Sequence, residues 1–144
     1  MNERQHTRAG RCALACGTLV VWLTSTAACD GGDPADAPPT FTEVHERVLQ
    51  SGCVFATCHQ AGASSAGMMS LERDEAHANL VDVPAAMAPG KIRVVPGDPD
   101  ASYVIEKLTS AMPAVGEQMP PDAPLEDDRV ELVRAWIEAG AADD

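Results

Sequence analysis

Large side chains are what this sequence has least of. Aromatic residues make up 3% of its 144 positions, and beyond Cys29 only Phe41, Phe55, Tyr103 and Trp136 remain. A domain of about a hundred residues with so few bulky groups has a thin core, and small domains of that kind often take support from a disulfide, a metal or a cofactor. Basic residues are scarce as well. Past Cys29 there are 7 Lys and Arg against 21 Asp and Glu, a formal charge of −14. That balance argues against nucleic acid and anionic lipid headgroups as partners. It suits plain solubility or a protein partner with a basic docking face. The chain has no phosphate loop, no H-E-x-x-H motif and no internal repeat. Its nearest approach to a nucleophile elbow, Gly62-Ala63-Ser64-Ser65-Ala66, lacks the second glycine. Nothing marks a catalytic residue or a small-molecule substrate, so a carrier or binding protein is expected rather than an enzyme.

The first 29 residues read as a targeting segment. Arg4, Arg8 and Arg11 give a positive start, and the 18 residues from Cys12 to Cys29 carry no charge. Small residues, Ser25 to Ala28, then precede Cys29, as a secretory cleavage site requires. An uncharged span of this length only reaches the lower limit for crossing a bilayer, and Thr and Ala fill its end, so cleavage is expected over a retained anchor. Thr26-Ala27-Ala28-Cys29 resembles a bacterial lipobox, with Thr26 where leucine is usual. The resemblance implies a lipid on Cys29, anchoring the chain at roughly 0.8 kcal/mol per buried methylene. Residues 30–39 (DGGDPADAPP) have no apolar periodicity and read as a flexible linker.

The remainder, residues 40–142, reads as one helical domain. Thr40 and Glu43 have capping-box spacing at the head of a helix to Gln50, with Phe41, Val44, Val48 and Leu49 on its apolar face and Ser51-Gly52 ending it. His45 is expected on the polar side. A second helix is expected over Glu72–Val81, with His77 packing nearby. Ile92–Val95 is a short extended run before the Pro96-Gly97-Asp98-Pro99 turn. Asp100 is expected to cap a helix to about Leu108. Four prolines make 111–124 an irregular loop, and Glu126, Asp127 and Asp128 suit the first turn of a last helix. That helix carries Val130, Val133, Trp136 and Ile137 inward and ends at Gly140.

Chemistry concentrates at Cys53-Val-Phe-Ala-Thr-Cys58-His59. The common haem-attachment motif is C-x-x-C-H, in which two thiols add to the vinyl groups along one porphyrin edge and the adjacent imidazole falls under the iron. Here the spacer has four residues, but Cys58 and His59 remain adjacent. A local Cys53–Cys58 disulfide is the alternative in an oxidising compartment. A zinc site needs a fourth ligand such as His45 or His77. Sixty residues after His59, Met119 stands before two prolines, which stiffen the segment that carries its thioether. A thioether prefers Fe(II) and raises a haem potential. Met68, Met69, Met87, Met112 and His77 are its rivals, Met112 closest because Pro113 follows it.

Several further segments occur in one order with this motif: Ala78-Asn79-Leu80-Val81, Arg93-Val94-Val95-Pro96-Gly97-Asp98-Pro99 with Ser102-Tyr103, Met119-Pro120-Pro121, and Leu132 to Ala141 (LVRAWIEAGA). Together they resemble the small cytochrome c-like domains of bacterial secreted proteins and lipoproteins, over Phe41 to Ala141. The resemblance implies an all-α cytochrome c fold of about four short helices around one covalent haem c, in which the first and last helices cross. It implies Cys53 and Cys58 as attachment points, His59 as proximal and Met119 as distal iron ligand. The expected protein is exported, held on the periplasmic side of a membrane by Cys29, and carries single electrons to a redox partner. A haem sensor or peroxidase-like domain, and a haem-free disulfide-bonded interaction lipoprotein, are the other classes weighed.

Overall fold

The computed structural model describes residues 37–61 and 67–144. The targeting segment with Cys29, most of the linker and Ser64 lie outside the described residues. The helices are α1 (Phe41–Val44), a π-helical stretch (His45–Leu49), α2 (Gln50–Gly52), α3 (Arg73–Leu80), α4 (Tyr103–Thr109) and α5 (Asp127–Glu138). The first three run on as one continuous helix. Among the described residues there is no strand, only isolated bridges such as Val81 to Val94 and Ile92 to Ser102. The fold class is all-α, and no described helix is long and apolar enough to cross a membrane.

The first helix begins as its sequence dictates. Thr40 Oγ1 accepts the Glu43 N–H at 3.0 Å, a cap worth about 1 kcal/mol, while the Glu43 carboxylate pairs with Arg47 at 2.6 Å. Phe41, Val44, Val48 and Leu49 are all buried. The helix ends at the expected pair, with Gly52 its last residue, just after Ser51. The Ser51 hydroxyl donates back to the Arg47 carbonyl at 2.9 Å, which satisfies it inside the winding. His45 is the clear correction. It is 3% exposed, and its Nε2 lies 3.1 Å from the Leu71 carbonyl. Four residues after Phe41 it shares that residue's face, so spacing, not polarity, decides its place.

α5 packs against both α1 and α4. The Phe41 and Trp136 rings meet at 5.2 Å between centroids, and His77 stands edge-on to Phe41 at the same distance. His77 therefore packs as expected, with Nε2 2.8 Å from the Ala141 carbonyl. Val130, Val133, Trp136 and Ile137 are buried, Asp127 and Asp128 sit in the first turn, and Gly140 takes a φ of +106° just past the end. α3 falls within its expected span, with Ala76 and Leu80 inward.

α4 starts later than expected. Asp98 Oδ1 accepts the Ala101 N–H at 2.9 Å, and the Ser102 N–H bonds to the Pro99 carbonyl at 3.2 Å. This extra turn absorbs Asp100, whose carboxylate instead pairs with Arg134 at 3.0 Å. Buried Ser102 then ties the segment together. Its hydroxyl accepts from the Val95 N–H and donates to the Asp98 carbonyl, each at 2.8 Å.

Candidate functional site

The helix that begins at Phe41 delivers Cys53. The Cys53 N–H bonds to the Leu49 carbonyl at 2.8 Å, and the chain leaves the helix there. The four-residue spacer is then wound into turns. Cys58 N–H reaches the Phe55 carbonyl at 2.9 Å, and His59 N–H returns to the Cys53 carbonyl at 3.2 Å. The wider spacer thus coils in place, and His59 comes back against Cys53. Both thiols are free and half-buried.

Burial pushes the Cys53 thiol from 9.0 up to about 11, with the neighbouring Cys58 adding to the rise. A rise of that size lowers the thiolate fraction at pH 8 about 100-fold. In the unliganded polypeptide Cys53 should therefore react with iodoacetamide on the order of 100-fold more slowly than an ordinary thiol at pH 8, and faster as the pH climbs toward 11. Timed alkylation with peptide mass spectrometry measures this. Modification of Cys53 at the rate seen in urea would contradict its burial.

The His59 ring is oriented by a second loop. Its Nδ1 lies 3.4 Å from the Met69 carbonyl. A carbonyl can only accept, so Nδ1 carries the ring proton and Nε2 is the basic nitrogen. Residues 67–71 are themselves fixed at four points. The Arg93 guanidinium donates to the Gly67 carbonyl (3.0 Å), Asn79 Nδ2 to Ser70 (2.9 Å), His45 Nε2 meets Leu71, and the Leu71 N–H bonds to the His59 carbonyl at 2.7 Å. Such outer partners set the tautomer and aim of a ligating imidazole. Arg93 and Asn79 fall in segments already singled out in the sequence, though with no role attached. His45 was legible only through its spacing from Phe41.

Met119 sits elsewhere in the chain but on the same hydrophobic core. Cys53, Met69 and Met119 are half-buried against that one cluster. The loop following Met119 also returns to the end of α2, one residue before Cys53, since a methyl group on Gly52 would stand 3.8 Å from Leu125 Cδ2. Its rivals differ. Met68, Met87 and Met112 are 71%, 61% and 90% exposed, and Met69 lies on the loop that braces His59. The Met119 N–H bonds to the Lys107 carbonyl at 2.7 Å. Burial lowers the Lys107 ammonium from its usual range, opposed by Glu106 and Glu117.

An open cleft of about 500 Å³ lies between the end of α4, the Met119 loop and the start of α5, with Leu108, Gln118, Leu125 and Val130 among its walls. It borders Met119 through Gln118; the cysteines and His59 do not line it. Among the described residues no group of three His, Cys, Asp or Glu side chains could hold a metal ion. The zinc set considered from sequence is not assembled, because His45 and His77 face the Leu71 and Ala141 carbonyls. No family model, curated protein or solved structure matches the chain.

Proposed function

We propose that this chain is a mono-haem c-type cytochrome, an electron carrier with a cytochrome c-like fold, exported and tethered by lipid at Cys29 on the periplasmic side of a bacterial membrane. The observation that carries the reading is the Cys53–His59 loop. Two thiols and an imidazole share one set of turns, and the imidazole is braced through Nδ1 by a carbonyl, the arrangement an iron-binding histidine needs at Nε2. Cys53 and Cys58 would hold the haem through thioethers, with His59 and Met119 as axial ligands.

The donor types suit that group: two thiols and one imidazole share the Cys53–His59 turns, and Cys53 and the half-buried Met119 pack against one core. Exposed apolar surface points the same way. Of the five exposed large hydrophobic residues among those described, Phe55 and Met68 lie on the segments around His59, and Met112 and Val115 lie on the Met119 loop. Apolar side chains gathered on ligand-bearing loops are surface a flat apolar cofactor would cover. Contact between the first and last helices agrees with the proposed fold. When bound, the haem supplies the one-electron Fe(III)/Fe(II) couple. The chain's part is to fix the imidazole, offer the thioether and exclude water with a stiff loop. The surplus of carboxylates directs it toward a redox partner with a basic face.

Intact mass of protein matured in a host with a haem-attachment pathway tests this. The expected mass is polypeptide plus lipid plus one haem, with sharp low-spin bands in the reduced-minus-oxidised spectrum and no response to carbon monoxide. A mass without haem and no Soret band would end the proposal and leave a disulfide-bonded interaction protein. Carbon monoxide binding by the native protein would point to a sensor or peroxidase-like domain.

A further inference from the structure

α4 grips the loop that carries Met119, and one residue does so with both its backbone and its side chain. The Lys107 ammonium donates to the Val115 carbonyl at 3.0 Å and to the Glu117 carbonyl, while the Lys107 carbonyl accepts the Met119 N–H at 2.7 Å. Gly116 lies between the two carbonyls with a φ of +70°, and a methyl group there would stand 3.6 Å from Lys107 Nζ. The left-handed turn at Gly116 brings both flanking carbonyls onto one cation. Neighbours on α4 and beyond it reinforce the contact. Tyr103 Oη meets the Val115 backbone at both N–H and carbonyl, Glu106 accepts the Ala114 N–H, and Gln118 Nε2 donates to the Leu108 carbonyl.

A lysine in the last turn of a helix is usually explained by the helix dipole and left in water. Lys107 is instead immobilised across a separate segment, in charge-assisted bonds that are stronger than neutral ones. Lysine is also rare here, with Lys91 and Lys107 the only two in the sequence. Lys91 supports the same helix through Glu106 at 2.7 Å.

We propose that Lys107 is a positioning residue for Met119: its ammonium draws the Val115 and Glu117 carbonyls together, fixes the backbone from which the thioether projects, and so keeps Met119 on the iron. The proposal rests on the haem reading above. Removing the ammonium frees residues 115–117 to open, and an incoming ligand then competes with Met119 more easily.

The test uses the mature haem-loaded protein, its Lys107→Met and Lys107→Arg variants, and Gly116→Ala as a second disturbance of the same contact. Imidazole titration, followed by loss of the thioether–Fe(III) charge-transfer band, reads how firmly Met119 is held. Amide hydrogen exchange of residues 115–119 reads the loop directly. Lys107→Met should keep its haem mass and helical content, yet take up imidazole at a concentration about tenfold or more lower, with exchange faster by a similar factor. Gly116→Ala should move both readouts in the same direction, and Lys107→Arg, which keeps a cationic donor, should restore most of the parent behaviour. Parent-like imidazole binding and parent-like exchange in Lys107→Met would overturn the proposal; should that variant not fold, the same result in Gly116→Ala would do so. If the parent itself carries no haem, the cytochrome reading fails, and exchange in the same samples still decides whether Lys107 holds the loop.

Discussion

Under the proposed haem ligation, replacing Met119 by alanine is expected to lower the reduction potential by on the order of 0.1 V or more and to let carbon monoxide bind the ferrous iron. A thioether stabilises Fe(II) over Fe(III), and its loss leaves a coordination position that water fills weakly. Two features of Met119 suit that proposed role. Met119 is half-buried on the same core as Cys53 and its amide is tied to α4, which restricts where the thioether can go. Potentiometric titration of the parent and variant, each with a carbon monoxide difference spectrum, makes the measurement. Matching potentials and an inert ferrous form in the variant would assign the position to another side chain.

Trp136→Ala should be the most damaging core substitution, raising the free energy of the folded state by about 3–5 kcal/mol. Domains of this size are stable by only about 5–15 kcal/mol in total. Trp136 is 2% exposed, stacks on Phe41, and donates its indole N–H to the Ala142 carbonyl at 3.0 Å. With so few large residues in the chain, no neighbour can expand into the space left behind. Urea unfolding followed by circular dichroism should show a midpoint far below that of Trp136→Phe, which keeps a ring against Phe41. A midpoint unchanged from the parent would mean that Trp136 is not the central core residue.

α5 was legible almost residue for residue because its apolar positions, acidic first turn and terminal glycine all point one way. The Cys58-His59 pair stands out in the sequence by its adjacency alone, and the structure places both residues in one set of turns with Cys53. For His45 the residue type points outward but the interval from Phe41 points inward, and a histidine can be buried once a carbonyl such as that of Leu71 meets its ring. Asp100 has the residue type of a helix cap, but the turn before α4 runs further than its prolines announce and closes at Ser102. The bracing of the Gly67 and Ser70 carbonyls by Arg93 and Asn79, and the hold of Lys107 on Val115 and Glu117, join side chains to the backbone of a separate loop. These bonds span 8 to 26 residues and follow neither the helical nor the strand period, so no periodic pattern announces them.

The π-helical stretch His45–Leu49 has a consequence for how this molecule can change. A π turn is an α-helix holding one residue too many, and each residue in a helix corresponds to a rotation of about 100°. Upstream of the insertion, Phe41 meets Trp136 and His77; at its far end the Leu49 carbonyl accepts the Cys53 N–H, where the chain leaves the helix. The surplus residue works as a phase offset between those two duties. Losing it would leave each half intact but aim the departing chain in a different direction, so the reach of the cysteine loop is set by helical pitch as well as by the length of its spacer.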